Sequence, residues 1–373
     1  MVDLIGQHAA IQKELNDAMQ RVVQTGAFVK GPEVQAFSEE LQAYTGSRFV
    51  IPCGNGTDAL QIALMALGIG PGDEVITTGF TFISTIEVVA LLGATPVLVD
   101  VHADTFNINV EQIAAAITPK TKAIVPVHLF GQMADMDALS VLSETSGIPL
   151  VEDNAQAISA RWYGAQGARE NAPQSGTIGL MGTTSFFPSK NLGCMGDGGA
   201  IMTNDAHMAQ KLQRIANHGM SKRYHHDVIG MNSRLDGLQA AILRVKLRYL
   251  PSYCAARQLA ASRYDAALKD IPGIQTPFRD TRSSHVFHQY TIQVEPGLRN
   301  QLVDHLKANG IPTGVYYPIP GHRQTAFDSF QFPDAFPVTD SLSKRVVSLP
   351  MHTELNESQQ ACITDALIKF VKQ

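Results

Sequence analysis

One lysine of this sequence lies in a setting that favours its use as a nucleophile. Lys190 follows the aromatic pair Phe186 and Phe187 and precedes the glycine-rich segment 193–199. Apolar surroundings disfavour the ammonium form of a lysine and lower its pKa, as attack on an aldehyde requires. Most lysines are solvated surface groups, but the residues on both sides of Lys190 argue against a simple exposed position. We therefore predict that Lys190 is a shielded, reactive amine.

A carboxylate ends an apolar run upstream of this lysine. Asp153 follows the segment 149–152, whose composition predicts a buried strand. A carboxylate at such a strand end can stay ionised while it pairs with a protonated pyridine nitrogen. Gln156, about one turn further on, can donate a hydrogen bond to a phenolic oxygen of the same ring. A helix N-cap or a solvated strand end is the alternative interpretation of Asp153.

A third candidate feature is the turn that contains Gly56, Thr57 and Asp58. Free backbone N–H groups and the positive end of the helix dipole make such a turn a site for a phosphate. The turn lacks the glycine spacing of the dinucleotide fingerprint and the lysine of a P-loop, so an ordinary capped helix is the competing interpretation. Phe82 follows another predicted strand, where it can stack on a ring or pack in the core.

An α/β sheet is predicted to position these residues. Between residues 49 and 203, β-branched runs alternate with stretches of helical period, which is typical of βαβ units and a mostly parallel sheet. The predicted strands are 49–52, 74–77, 95–99, 123–126, 150–152, 183–186 and 200–203. The predicted helices between and after them are 57–67, 81–92, 110–116, 136–146 and 206–217. Ligands of such sheets collect at the carboxyl ends of the strands, where the candidate residues lie.

The 373 residues exceed what one hydrophobic core usually organises, so we predict two domains. The large domain covers 1–250 and ends in a helix over 233–250. Beyond Pro251 the pattern becomes mixed and predicts a smaller α+β domain over 251–373. Its predicted helices are 255–268, 298–309 and 357–371, and its predicted strands are 289–294 and 314–317.

Composition excludes several classes of function. The net charge is -5 and the basic residues are dispersed, which argues against a nucleic acid partner. No apolar stretch predicts a membrane span or a signal peptide, so we expect a cytoplasmic location. The four cysteines have no zinc-ligand spacing and indicate reduced thiols. We expect no metal, because the adjacent His225 and His226 point in different directions on any regular element.

Taken in order, the motifs resemble those of the DegT/DnrJ/EryC1/StrS family of sugar aminotransferases, which has the type I fold of pyridoxal-phosphate enzymes. The resemblance covers nearly the whole chain, and Lys190 and Asp153 lie within its motifs. It rests on strings at 28–34 (FVKGPEV), 56–60 (GTDAL), 71–76 (PGDEVI), 128–131 (HLFG), 152–153 (ED), 185–190 (SFFPSK), 196–200 (GDGGA) and 232–236 (NSRLD).

The resemblance implies a role for each candidate residue. Lys190 is the catalytic lysine that bonds pyridoxal 5'-phosphate, with pyridoxamine phosphate as the other form of the cofactor. Asp153 pairs with the pyridine nitrogen, and Gln156 contacts the phenolic oxygen. The remaining implied cofactor contacts are Gly56, Thr57, the Asp58 backbone, Phe82, Ser185 and Asn232. Asn232 reaches the cofactor of the neighbouring subunit, so the resemblance implies a homodimer with shared active sites.

The implied reaction moves an amino group from glutamate to a nucleotide-linked keto sugar. Lysine at 190 argues for aminotransfer, because a branch of the family has histidine there and removes a hydroxyl group instead. The region 222–236 is most similar to members that act at C3 of UDP- or dTDP-linked 3-keto sugars, and a UDP-linked 3-keto hexuronic acid fits best. Basic side chains there can pair with a sugar carboxylate, although a solvated loop is the alternative. The implied substrate contacts are Arg223, His225, His226, Arg234, Tyr316 and Tyr317.

Two features leave the substrate open. The family's His-Tyr-Pro string is Tyr316-Tyr317-Pro318 in this chain, so a contact of that histidine is in doubt. A 4-keto sugar aminotransferase shares every cofactor residue. The sequence also allows a non-catalytic pyridoxal-phosphate protein with a sensing or scaffolding role, and an NAD-dependent sugar enzyme. The expected end use is surface polysaccharide or antibiotic sugar biosynthesis.

Overall fold

The computed structural model describes residues 1–334 and 336–372, and within them seven strands build one twisted sheet. The strands are β1 (Phe49–Cys53), β2 (Glu74–Thr78), β3 (Thr95–Val99), β4 (Thr121–Ile124), β5 (Val151–Asp153), β6 (Met181–Ser185) and β7 (Gly199–Thr203). Their order is β3-β2-β4-β5-β6-β7-β1, with β4 and β5 joined by the bridges Ile124–Leu150 and Val127–Asp153. Strand β7 runs antiparallel to both of its neighbours, β6 and β1, and the other strand pairs are parallel. The predicted mostly parallel mixed sheet is confirmed.

Helices cover both faces of this sheet, which explains why most residues of its strands are buried. Alternate strand residues enter opposite hydrophobic clusters: Val50 and Ile76 belong to one, and Ile51 and Val75 to the other. Each predicted helix between the strands is present, and three further helices precede the sheet. The helices are α1 (Leu4–Ala10), α2 (Gln12–Thr25), α3 (Pro32–Thr45), α4 (Gly56–Ala66), α5 (Ser84–Leu91), α6 (Val110–Ala116), α7 (Met136–Ser146) and α8 (Ala206–Ile215).

Helix α9 (Gly237–Leu268) corrects the predicted helix break at residues 250 and 251. Pro251 lies inside the helix, although a proline removes one intrahelical hydrogen bond. Leu250 and Cys254, on either side of it, are buried in the same hydrophobic cluster, and this burial offsets the lost bond. The proposed division into 1–250 and 251–373 therefore falls within a helix, and the two-domain organisation stays a prediction.

The C-terminal part has its own sheet, β10 (Ile274–Gln275), β11 (Tyr290–Val294) and β12 (Val346–Leu349), in antiparallel order. Helices α10 (Arg299–Ala308), α11 (Pro337–Arg345) and α12 (Glu357–Val371) accompany it. A separate cluster joins this layer to the end of α9 through Tyr264 and Leu268. The predicted strand 314–317 is wrong, because only Gly314 bridges to Ser348 and nearby prolines cannot donate to a ladder.

A short hairpin lies between α8 and α9, formed by β8 (Met220–Lys222) and β9 (His225–His226). Its residues are largely exposed. Of the helices in the described ranges, none has the length and apolar character needed to cross a membrane.

Candidate active site

A cavity of about 410 Å³ opens at the carboxyl ends of β1, β2, β5 and β6. This is the edge of the sheet where the sequence predicts a ligand. The cavity walls come from the segments that follow these strands, from the two residues just before β11 and from the loop around residue 316. The lining residues used below are Gly56, Thr57, Phe82, Asp153, Gln156, Ser185, Lys190, Asp197, His288, Gln289, Tyr316 and Tyr317.

Lys190 lies in a tight turn after β6. Its N–H donates to the carbonyl of Phe187 at 2.8 Å, and the next side chain, Asn191, donates from Nδ2 to the carbonyl of Val286 at 2.9 Å. Phe186 is fully buried in the core, which fixes the start of the turn. Burial lowers the pKa of the Lys190 amine to about 8, while the charge of Asp153 acts in the opposite direction. A substantial fraction of Lys190 is therefore neutral near physiological pH, as an amine nucleophile requires.

Asp153 faces the same cavity from the end of β5. The hydroxyl of Thr85 donates to Oδ2 at 2.8 Å, and the N–H of Ala155 donates to Oδ1 at 3.1 Å. Burial raises the pKa of Asp153, whereas these two hydrogen bonds and the charge of Lys190 lower it. The carboxylate is thus held in a fixed orientation, ready for a cationic partner inside the cavity.

Gln156 is held at both ends of its amide. Oε1 accepts from the N–H of Phe130 at 2.9 Å, and Nε2 donates to the hydroxyl of Tyr317 at 3.0 Å. An amide nitrogen has two hydrogens, so one remains for a ligand oxygen. Burial raises the pKa of Tyr317, which keeps its phenol neutral.

The turn before α4, where the sequence predicts a phosphate site, brings Gly56 and Thr57 to the cavity but not Asp58. Asn55 caps the helix by accepting from the Asp58 N–H at 2.8 Å, and the Asp58 carboxylate accepts from the Ser233 hydroxyl at 2.6 Å. Asp58 is therefore occupied by protein partners and does not line the cavity. The hydrogen bonds of the described chain leave the amides of Gly56 and Thr57 free. A Cβ at Gly56 would approach the Cβ of Ser185 to 2.7 Å, so only glycine fits there.

These residues fit a flat pyridine ring that bears an aldehyde and a phosphate. The amine of Lys190 suits the aldehyde, the Asp153 carboxylate suits a ring nitrogen, and the free amides suit a phosphate at a helix N-terminus. Phe82 is 53% exposed and offers an aromatic face to the cavity.

A family comparison decides the identity. The sequence profile of the DegT/DnrJ/EryC1/StrS aminotransferase family matches residues 9–368. The chain belongs to this family. The recognition from sequence motifs is thereby confirmed, and an NAD-dependent sugar enzyme is excluded.

Curated relatives of this aminotransferase match it along almost its whole length. A Pseudomonas aeruginosa protein, UDP-2-acetamido-2-deoxy-3-oxo-D-glucuronate aminotransferase, is 46% identical over 98% of both chains. A Geobacillus stearothermophilus protein named pleiotropic regulatory protein is 43% identical over 100% of this chain and 98% of its own. UDP-N-acetyl-3-dehydro-alpha-D-glucosamine 3-aminotransferase of Acidithiobacillus ferrooxidans is 44% identical over 98% and 96%.

Solved structures agree with the fold and the cofactor of the aminotransferase. A family member from Brucella abortus has a TM-score of 0.94 and 42% identity, covering 100% of this chain and 99% of its own. The protein ntda of Bacillus subtilis, with bound cofactor PMP, has a TM-score of 0.89 and 31% identity, covering 97% and 82%. The chain is therefore a pyridoxal-phosphate-dependent sugar aminotransferase of type I fold.

The aminotransferase does not bring every predicted site residue into its own cavity. Tyr316 and Tyr317 line it. The predicted substrate contacts Arg223, His225 and His226 are exposed on the hairpin β8–β9, and Asn232 is exposed as well. Arg234 lines a second cavity of about 540 Å³, together with Lys30.

The sequence also missed several residues that shape the aminotransferase cavity. Thr85, which orients Asp153, belongs to no motif, and its signal is only a hydroxyl in a helix of buried apolar residues. His288 and Gln289 line the cavity just before the apolar strand β11. Across residues 1–334 and 336–372, no cluster of three or more His, Cys, Asp or Glu side chains has metal-binding geometry.

Proposed function

We propose that the enzyme transfers an amino group from glutamate to C3 of a UDP-linked 3-keto hexuronic acid. The observation that carries this proposal is the shared cavity of Lys190 and Asp153, with free phosphate-binding amides in the same wall. The names of the Pseudomonas and Acidithiobacillus relatives, both UDP-linked 3-keto sugar aminotransferases, support the nucleotide and the carbon. The choice of a hexuronic acid as the sugar is supported by the name of the Pseudomonas enzyme, which specifies a glucuronate.

Lys190 holds and moves the protons of the reaction. Bound pyridoxal phosphate supplies an aldehyde that condenses with amines and a ring that withdraws electrons. The Nζ atom of Lys190 accepts the proton from the α-carbon of glutamate and later returns a proton at C3 of the sugar. Its pKa of about 8 allows both directions, because the amine and the ammonium form are both populated near neutral pH.

Other residues bind and orient. Asp153 holds the proton on the ring nitrogen, because Thr85 and Ala155 keep its carboxylate in place. The amides of Gly56 and Thr57 and the hydroxyl of Ser185 hold the phosphate. The remaining contacts are Gln156 Nε2 to the phenolic oxygen and Phe82 to the ring face.

We further propose a homodimer with shared active sites, supported by the charges of the cavity. Lys190 is the one Lys or Arg among the described lining residues, which also include Asp153 and Asp197. Yet glutamate, the cofactor phosphate and a UDP-sugar are all anions, so further cations must be supplied. The hairpin carries Arg223 beside the exposed apolar Tyr224, as expected of a surface that packs against a second copy.

In this dimer, each subunit extends its hairpin and the following segment to the other subunit's cavity. Asn232 then reaches the partner's cofactor phosphate, and Arg223, His225, His226 and Arg234 approach the partner's substrate. Tyr316 and Tyr317 contact the sugar from the subunit that holds Lys190.

The reaction is tested with purified enzyme, glutamate and a panel of UDP- and dTDP-linked keto sugars, with products assigned by NMR. The proposal expects 2-oxoglutarate and an amine at C3 of the UDP-hexuronic acid. An amine at C4 would establish the 4-keto alternative instead. If glutamate did not change the absorbance of the bound cofactor, the non-catalytic role would be favoured. The name of the Geobacillus relative, pleiotropic regulatory protein, is compatible with such a role.

Shared sites are tested by mixing two inactive variants, Lys190→Ala and Asn232→Ala. A mixed dimer has one intact site if Asn232 acts across the interface, so mixing restores about a quarter of wild-type activity. No recovery after subunit exchange would contradict shared sites. The predicted cytoplasmic location and use in surface polysaccharide or antibiotic sugar biosynthesis stay proposals; the four free cysteines support the former.

A further inference from the structure

Glu152, the residue before Asp153, is a fully buried carboxylate that makes no contact with the cavity. Within the described part of the chain it accepts four hydrogen bonds. Oε1 accepts from the amides of Ile178 at 2.7 Å and Gly179 at 2.6 Å, and Oε2 accepts from the amide of Gly176 at 2.7 Å and from the ring of His128 at 2.8 Å. Its lone pairs are therefore satisfied without water.

The hydrogen bonds of His128 show which member of this buried pair is charged. Its Nδ1 accepts from the N–H of Ala134 at 3.2 Å, so Nδ1 has no proton of its own. The ring is therefore neutral, with its single proton on Nε2, which donates to Glu152. Glu152 is the charged member, and N–H dipoles rather than a cation stabilise it. A buried charge of this kind persists only when its hydrogen bonds are complete.

These bonds join two separate segments to the end of β5. On one side, the His128 N–H donates to the Asp153 carbonyl at 3.0 Å, and the Asp153 N–H donates to the Pro126 carbonyl at 2.8 Å. On the other side, Asn154 Nδ2 donates to the Ser175 carbonyl at 3.1 Å. Because consecutive strand residues point to opposite faces, Glu152 anchors the strand end from behind while Asp153 faces the cavity.

We propose that Glu152 is a positioning residue that fixes the Asp153 carboxylate for the cofactor. The inference rests on the proposed role of Asp153 toward the ring nitrogen. Glu152→Gln keeps the size of the side chain but replaces one acceptor oxygen by a donor. That donor would face N–H groups, and His128 cannot offer Nε2 as an acceptor, because Ala134 fixes its tautomer. The variant therefore loses two hydrogen bonds and loosens the end of β5.

The test compares Glu152→Gln with Asp153→Asn and with the control Tyr264→Phe. Tyr264 is buried in the C-terminal layer and donates to the Pro350 carbonyl at 2.9 Å, so its loss destabilises the protein away from the cavity. Four quantities are measured: the Kd of pyridoxal phosphate, the pH dependence of the bound cofactor's visible absorbance, amide hydrogen exchange in the apoprotein, and the midpoint of thermal unfolding.

The inference expects Glu152→Gln to weaken cofactor binding about 10-fold, since two buried hydrogen bonds are lost. In Glu152→Gln, the pH midpoint of the cofactor's absorbance change shifts in the same direction as in Asp153→Asn. The backbone amide of Asp153 also exchanges its hydrogen faster than in the wild type. His128→Asn removes one of the four bonds and gives the same changes at smaller size, which decides the matter if Glu152→Gln does not fold. Tyr264→Phe lowers the thermal midpoint only.

The positioning role would be overturned if Glu152→Gln kept the wild-type Kd and the wild-type pH midpoint of the absorbance change. It would also be overturned if Tyr264→Phe changed these two quantities equally. If Asp153→Asn itself leaves both quantities unchanged, the proposed role of Asp153 is wrong, and the inference is lost with it. The two failures are thus distinguishable.

Discussion

Lys190 and Lys246 show that the same electrostatic shift can serve two different ends. Burial lowers the pKa of each amine to about 8. Lys190 lies in a cavity of about 410 Å³ that it shares with Asp153. Lys246 is 1% exposed, and its Nζ lies 3.3 Å from Nε2 of His8, under the N-terminal helices. A lowered pKa reports burial, whereas chemistry also needs access and a partner for the ligand.

The surroundings of Lys246 predict that it takes no part in the reaction. It lies on α9 beside Val245, which packs with Leu15 and Val22 of α2. Burial and the charge of Lys246 both lower the pKa of His8, so its neutral ring accepts a hydrogen bond from the lysine. The amine is satisfied but has no room for a second molecule.

The largest difference is expected from removing each amine in turn. Lys190→Met should lower turnover by about 10³-fold or more, because proton transfer and covalent attachment of the cofactor are both lost. Lys246→Met should keep turnover within about 2-fold, because its amine reaches no substrate. Steady-state kinetics measures both. The contrast fails if the two variants lose similar activity.

Two carboxylates of the cavity sharpen the comparison further. Asp153→Asn should lower kcat/KM about 100-fold and weaken cofactor binding, since an amide cannot hold the proton on the ring nitrogen. Asp197→Asn is the matched control, as this exposed carboxylate lines the same cavity. Kinetics and cofactor titration should show a much smaller effect for Asp197.

Removing the buried charge at 246 should stabilise the apoprotein. An amine whose pKa is lower when folded costs stability while it is protonated, fully below about pH 8 and no longer above its unfolded pKa of 10.5. Lys246→Met should therefore raise the free energy of unfolding on the order of 1–3 kcal/mol at pH 7. The gain should shrink as pH rises from 8 to 10.5. Denaturant titrations at several pH values measure it, and a gain that grows with pH would contradict the assignment.

The smallest effect concerns the acceptor of Lys246. His8→Leu leaves the buried amine without that acceptor and should lower stability by about 1 kcal/mol, with no change in turnover. His8→Gln offers an amide oxygen in its place and should lose less. Thermal unfolding separates the two variants, and equal losses would show that the hydrogen bond is unimportant.

Local patterns explain how far the sequence predicted this molecule. All seven strands of the main sheet within the described residues were predicted to within a few residues, because strands covered on both faces are apolar and end at glycine, proline or polar residues. Lys190 and Asp153 followed from their places at strand ends. Both predictions depend on short stretches of chain.

Features that depend on distant residues were predicted less well. Pro251 suggested a helix end, but side chains from elsewhere in the chain bury both halves of α9. No pattern marks Lys246 as buried, since the covering His8 lies in a distant helix. The proposed roles of Arg223 and Asn232 depend on the proposed second subunit, which the sequence of one chain does not position.

The unbroken helix α9 has a practical consequence for dividing this polypeptide. Its 32 residues span about 48 Å, and this single helix packs against both the main sheet and the C-terminal layer. Two fragments separated after residue 250 would each end in half of this helix, and Cys254 would be separated from the main-sheet residues of its hydrophobic cluster. Such halves should assemble when produced together and precipitate when produced apart. The junction is thus suited to a split reporter whose signal depends on reunion of the two pieces.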